Sequence, residues 1–383
     1  MPAAPDRGPR LRRTLERLAA QARDAWTGRR HRRLFKDGAR LWRRIGQDKP
    51  AVLEALYERF PRMPRSYVDA YLESLIRDHA GNPRAPLYLD AELGARERQR
   101  QLVAELEEHE GSLRGRRVLD IGCSNGSLLL AARDAGALPL VGVDISAERL
   151  ASARLLCAGS GIDLRVLDFV TEGLPDGLGP FDVIFCTDVL EHVASVTQAA
   201  AALKRALAPG PGSFAYVSLF NGRHPSCVRA EPHYGVPGLV LLDPKDAREV
   251  WYSVRGSLQS TLDYEVGEWP DFGSLKSLAA GLSLRLELFE DRRAILRTRA
   301  SFWGGYTRRL EELQAAVRRE VAALALSPLH RALILDQLED YGRTFRAAHQ
   351  AFAAAQPGLP EEDVLDFYGT YYAQPLRFLL RHA

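Results

Sequence analysis

The sequence predicts an α/β protein: a parallel sheet covered by helices on both faces, with helical extensions before and after it. Three observations carry that class. Short apolar runs alternate with helical patterns from about residue 115 to 289. A buried strand, a glycine turn and the start of an apolar helix adjoin at Val118-Leu119-Asp120-Ile121-Gly122-Cys123-Ser124-Asn125-Gly126. A second strand, Val141-Gly142-Val143-Asp144, ends in an acid twenty-two residues beyond Gly122, the spacing of a nucleotide-binding βαβ unit.

In chain order, strands are expected at 117–121, 139–144, 164–168, 181–186, 213–219 and 283–289, with helices near 126–136, 147–158, 196–208 and 271–280. Pro209-Gly210-Pro211-Gly212 marks the turn before the fifth strand. In front lie a basic amphipathic stretch (Leu11 to Trp42), two shorter helices around 53–60 and 67–76, and one helix from Asp90 to Glu110. The long connection 220–270 is rich in His, Tyr, Trp and Pro, as loops that build substrate sites tend to be. From Ser301 onward the pattern is helical throughout, with stripes at Leu310, Leu313, Val317, Val321 and at Leu338, Tyr341, Phe345, Phe352. The chain thus divides into a basic helical arm (1–50), a helical lid or lead-in (51–114), a central domain (115–300) with the insert 220–270, and a C-terminal helical region (301–383).

Composition fits a globular chain: 383 residues, 46% hydrophobic and 26% charged. The net charge of +3 conceals a basic first fifty residues, fifteen Lys and Arg against five acids. Such an arm suits an anionic membrane surface or another polyanion. No apolar run reaches the length of a membrane span, and the arginine-rich start is unlike a signal peptide. Four scattered cysteines read as buried thiols in a reducing compartment, so a cytoplasmic location is expected, with peripheral membrane contact an option that the basic arm leaves open.

The glycine turn reads G-x-S-x-G, not the dinucleotide G-x-G-x-x-G. Asp120 at the strand mouth would repel a pyrophosphate but suits a cationic amino-acid end, such as the ammonium of S-adenosylmethionine. A methyl donor is therefore favoured over NAD. Ligands in open α/β sheets bind beyond the carboxyl ends of the strands, and four such ends carry suitable groups. The first holds Asp120, Gly122, Cys123 and Gly126, and the second holds Asp144, for both ribose hydroxyls, with Ile145. The third holds Asp168, for the adenine amine, beside Phe169; the fourth presents Thr187 and Asp188 toward the reacting methyl.

On these residues the stretch 117–219 resembles a class I S-adenosylmethionine-dependent methyltransferase. The matching segments are 118–123, 141–144, Phe181-Asp182-Val183-Ile184, Asp188-Val189-Leu190-Glu191-His192-Val193, and Leu203 to Gly210. The resemblance implies a Rossmann-like methyltransferase sheet with S-adenosylmethionine as cofactor. Ser124 stands where the family usually has glycine. Asn221-Gly222-Arg223-His224-Pro225-Ser226 and Glu231-Pro232-His233-Tyr234-Gly235 resemble an insert in methyltransferases of bacterial surface-glycan clusters. That implies O-methylation of a saccharide or glycan-linked hydroxyl.

His192 and His233 are the candidate bases, with Glu231 to orient one of them. For His192 a structural role closing the donor pocket weighs more than the base role. Asp188, Glu191 and His192 fall at i, i+3 and i+4, so one helical turn would gather two carboxylates and an imidazole for a divalent metal. This resembles the Glu-x-x-Glu-His site of ubiquinone-pathway and small-RNA O-methyltransferases; a metal is an alternative here, not the expectation. The competing acceptors are a quinone-like small molecule and an RNA 2′-hydroxyl. The reading from another class is a donor-binding scaffold without catalysis. The C-terminal helices suggest a homodimer.

Overall fold

The computed structural model describes residues 38–80, 85–258, 260, 262–298, 306–355 and 358–383. The basic stretch from Leu11 to Asp37 lies outside them. Two compact units are present, one ending at Ala95 and one running from Arg96 to Ala383.

The first unit contains α1 (Gly38–Gln47), α2 (Lys49–Arg59), α3 (Arg65–His79) and α4 (Ala85–Leu93). Asp48 caps α2 by accepting the N–H of Ala51, and Pro50 occupies its first turn, where a missing donor costs nothing. Leu41, Leu56, Tyr67, Leu72, Leu75 and Leu89 are buried and give the unit an apolar interior. The helix expected from Asp90 to Glu110 is in fact two, interrupted at Gly94, and the unit boundary falls beside that break. Both flanks are good helix formers, so periodicity alone runs through the interruption.

The second unit opens within α5 (Ala95–Glu110) and is built on a seven-stranded sheet. Its strands are β1 (Val118–Ile121), β2 (Leu140–Asp144), β3 (Asp163–Val166), β4 (Val183–Thr187), β5 (Phe214–Leu219), β6 (Leu284–Leu288) and β7 (Leu376–His382), in the order 3-2-1-4-5-7-6. The strands β1 to β5 pair in parallel, and β7 runs antiparallel between β5 and β6. Central strands β1, β2 and β5 are buried along their whole length, as a sheet covered on both faces requires. Leu119 and Ile121 pack on one side with α8 (Val196–Ala206) and α11 (Phe272–Gly281). Val118 packs on the other with α5 and α6 (Ser127–Asp134). The order reverses between β1 and β4, which puts the crevice of the sheet at their carboxyl ends.

β7 corrects the all-helical expectation after Ser301. Leu376-Arg-Phe-Leu-Leu-Arg-His is a short apolar run that length and periodicity do not separate from a buried helical segment. Its two arginines fix its place: Arg377 pairs with Glu290 (2.8 Å) and Glu105 (3.1 Å), and Arg381 with Glu110 and Glu287. The helical hairpin expected there is present as α13 (Tyr306–Ala323) and α14 (Pro328–Ala355), followed by α15 (Glu361–Tyr371). Their inner stripes join the apolar cluster that also contains Tyr234, Val250 and Trp251 of the long connection. All four cysteines are buried and free, and among the described residues no helix is long and apolar enough to cross a membrane.

His349 on α14 is fully buried. Its Nδ1 donates to the Phe345 carbonyl (2.7 Å), which leaves Nε2 to accept the Tyr372 hydroxyl (2.8 Å). Burial pushes its pKa down to about 4. Unfolded, the imidazole has its ordinary value near 6.5, so below that pH the unfolded chain takes a proton that the folded one refuses. Stability attributable to this group therefore falls as pH drops from about 6.5 to about 4, by roughly 3 kcal/mol. Denaturant unfolding across that range should show wild type losing about this much more than His349→Gln; parallel pH profiles would refute it.

Candidate active site

At the end of β1 the backbone enters the left-handed region three times in five residues: Gly122 (φ 68°), Ser124 (φ 47°) and Gly126 (φ 77°). Serine at 124 adopts the conformation that glycine accepts without cost, a strain of order 1 kcal/mol. Asp144 at the end of β2 holds the turn. Its two oxygens accept the N–H groups of Ser124 (3.0 Å) and Ser146 (2.9 Å). Asn125, which drew no attention in the sequence, accepts the N–H of Ser127 and starts α6. Cys123 is buried beside β2, where its thiol bars a side chain at Gly142.

Asp120 is 2% exposed, and its Oδ1 has no hydrogen-bond partner. Burial first, and the nearby Asp144 second, raise its pKa well above the usual carboxylate range. Ile145, next to Asp144, leaves 75% of its surface open and forms an apolar platform at the mouth of β2. Asp168 is engaged locally, accepting the N–H groups of Val170 (3.0 Å) and Thr171 (3.2 Å). Its bonds to Thr171 hold its pKa low, and Phe169 beside it is buried.

Beyond Thr187 the chain does not form the expected helical turn. Asp188 takes a φ of 55°, its N–H bonds Ser218 O (2.8 Å), and only a single turn closes from His192 N–H to Val189 O (2.9 Å). Val189 packs on Gly122, where an added Cβ would stand 2.5 Å from its methyl. This path sends Glu191 inward. It is fully buried, neither carboxylate oxygen makes a hydrogen bond, and its pKa is pushed up to about 7 by burial and then by Asp188. The nearby His233 opposes that only in part. Burial likewise raises Asp188 to about 6, opposed by His233.

The third side of the site comes from the long connection. The Asn221 side chain donates to the carbonyls of Gly369 and Ala373 (both 3.0 Å) and accepts the Arg223 N–H, anchoring the segment after β5 to the C-terminal region. Glu231 is 1% exposed; one oxygen takes His233 Nδ1 at 2.7 Å, and the other takes the Tyr234 N–H. Burial alone would lower the His233 pKa, but the bond and charge of Glu231, with Glu191 and Asp188 adding, raise it. The His233 ring lies 4.8 Å from that of His192, 5.6 Å from Trp269 and 5.7 Å from Phe220.

A strap across residues 262–269 completes the enclosure. Glu265 O accepts His192 Nδ1 (3.0 Å), and the Gly267 N–H bonds Glu191 O (2.6 Å). A Cβ at Gly267 would stand 2.6 Å from Val193 O, so only glycine fits. His192 is exposed overall, yet partial desolvation of its ring lowers its pKa. Sequence reasoning located this loop but missed Glu265, Gly267 and Trp269; the Gly-x-Trp-Pro run was the available signal.

One atom each of Glu191, His192 and His233 lies within 4.8 Å of the others. Of the candidate metal ligands Asp188, Glu191 and His192, the last two lie in this group, joined by His233, which the sequence did not offer as a ligand. These three side chains can hold a divalent ion.

A family model described as a methyltransferase domain matches residues 94–264. Among curated proteins, the ubiquinone biosynthesis O-methyltransferase of Escherichia fergusonii is 31% identical over 175 residues, 45% of this chain and 67% of its own. The chain belongs to the S-adenosylmethionine-dependent methyltransferases. The corresponding protein of Bordetella avium is 38% identical over 120 residues, 30% of this chain and 47% of its own. The chain thus spans about half the length of several curated relatives it matches. Among solved structures, a magnesium protoporphyrin IX methyltransferase from Synechocystis with bound S-adenosylhomocysteine aligns with a TM-score of 0.35 at 20% identity, over 63% of this chain and 91% of its own.

The donor of this methyltransferase family fits the residues present. The orphaned Asp120 oxygen is an acceptor in want of a cationic donor group, and Asp144 retains acceptor capacity beyond its two amide bonds. Hydrogen bonds to a charged acceptor are each worth about 1.5–3 kcal/mol. Asp144→Ala should therefore weaken S-adenosylhomocysteine binding at least about tenfold in calorimetry, and unchanged affinity would place the donor elsewhere.

Proposed function

We propose that this methyltransferase transfers the methyl group of S-adenosylmethionine to a hydroxyl oxygen, with His233 as general base and Glu231 as its positioning residue. The observation that carries this is the 2.7 Å hydrogen bond from half-buried His233 to buried Glu231. An imidazole that donates through Nδ1 keeps Nε2 as the proton acceptor, and the carboxylate behind it makes that nitrogen more basic. S-adenosylmethionine supplies an electrophilic methyl on sulfur. What the protein adds is alignment of the acceptor oxygen and removal of its proton.

In this assignment Asp120, Gly122, Cys123 and Gly126 frame the amino-acid end of the donor. Asp144 with Ile145 serves ribose and adenine, Asp168 and Phe169 shape the adenine side, and Thr187 and Asp188 border the reacting centre. His192, tied to the strap through Glu265, closes the site.

A saccharide or glycan-linked hydroxyl is the acceptor best suited to such a pair. An alcohol gives up its proton far less readily than a phenol, whose pKa is near 10, and gains more from a strengthened base. The Glu191–His192–His233 cluster favours a second acceptor chemistry, metal-assisted methylation of a quinone-like molecule or RNA 2′-hydroxyl. The curated relatives are named for ubiquinone biosynthesis.

Replacing His233 by Gln should lower kcat about 10²- to 10⁴-fold while leaving S-adenosylhomocysteine binding intact. Because Glu231 raises the His233 pKa, activity should rise with pH through a value above 6.5, and Glu231→Gln should move that limb to lower pH. Full activity after exhaustive chelation supports the base; loss on chelation with rescue by magnesium supports the metal. A His233→Gln enzyme with wild-type kcat excludes both.

A further inference from the structure

A cavity of about 240 Å³ lies in the second unit where the start of α13, the middle of α14, the end of α15 and the short helix α9 (Pro225–Arg229) converge. None of the residues given a donor or catalytic role lines it. The segment 220–225 separates it from the catalytic pair: Phe220 faces His233, whereas His224 and Pro225 form part of the cavity wall. Four residues of chain reach at most about 14 Å, so the two sites are neighbours.

The walls are aromatic and the polar groups at them favour an anion. Tyr306, Phe345, Tyr371 and Tyr372 contribute rings, and no carboxylate is among the lining residues. Arg309, exposed, makes no ion pair among the described residues. His224 accepts the Ser226 N–H at Nδ1 (3.2 Å), so its neutral ring carries the proton on Nε2 as a donor; burial lowers its pKa and favours that neutral form. An apolar cavity of about 150 Å³ accommodates benzene, so this one has room for a ring with a substituent.

We propose that the cavity is a ligand site for a single aromatic ring bearing a carboxylate, the ring stacked among the tyrosines and Phe345 and the carboxylate directed to Arg309 and His224. An ion pair at an exposed guanidinium contributes up to about 1 kcal/mol, about fivefold in affinity.

The test is calorimetric or ligand-observed NMR titration of the full chain with benzoate and with benzyl alcohol, which keeps the ring and lacks the charge. Benzoate should bind saturably and about fivefold more tightly than the alcohol. Arg309→Gln should erase that preference, and Arg309→Glu should reverse it while leaving benzyl alcohol within about twofold of wild type. Unchanged circular dichroism and melting temperature report the fold independently of methyl transfer. Failure of benzoate to saturate wild type, or equal benzoate affinity in wild type and a folded Arg309→Glu variant, overturns the proposal. Loss of activity in His233→Gln leaves these titrations unmoved, so the two proposals fail separately.

Discussion

The site is governed by the cost of burying carboxylates that lack partners. Asp120 and Glu191 are enclosed at the carboxyl edge of the sheet, each with at least one oxygen that makes no hydrogen bond. An isolated buried carboxylate is expensive, and the protein meets that cost by raising the pKa of both groups toward the neutral form. Such an arrangement is poor for stability and well suited to a cationic ligand. Asp144, also buried, shows the contrast, since it accepts two backbone amides and ties the glycine turn to β2.

From that constraint the surrounding geometry follows. Glu191 is driven inward because Asp188 turns the chain with a positive φ and Val189 seats on Gly122. The strap over it must then approach backbone to backbone, which Gly267 permits. His233 arrives from the other side on a loop that Asn221 moors to residues 369–373, near the last strand. The C-terminal residues thus belong to the site's foundation: β7 fills the gap between β5 and β6, and Arg377 and Arg381 bind it to α5 and the β6 region.

Much of this was legible in the residues. The strands β1, β2, β4 and β5 read clearly because parallel strands covered on both faces are continuous apolar runs, and their acids mark the ends. Glu231 and His233 stood out by type and spacing, two apart in a polar loop. Legibility failed where long-range contacts decide the outcome. β7 is helix-compatible in isolation and becomes a strand only because a slot in the sheet awaits it. Asp188, Glu191 and His192 looked like one face of a helical turn, yet Asp188 takes a positive φ and Val189 seats on Gly122 instead.

The claim that Asp120 is held ready for a cationic donor end is tested most directly by counting protons released when S-adenosylhomocysteine binds. That ligand keeps the ammonium and lacks the sulfonium charge, so calorimetry in buffers of different ionisation enthalpy isolates the amino-acid end. The account predicts that wild type releases more protons than Asp120→Asn on binding, as the ammonium draws Asp120 into its charged form. Equal proton counts and equal affinities in the two proteins would contradict it.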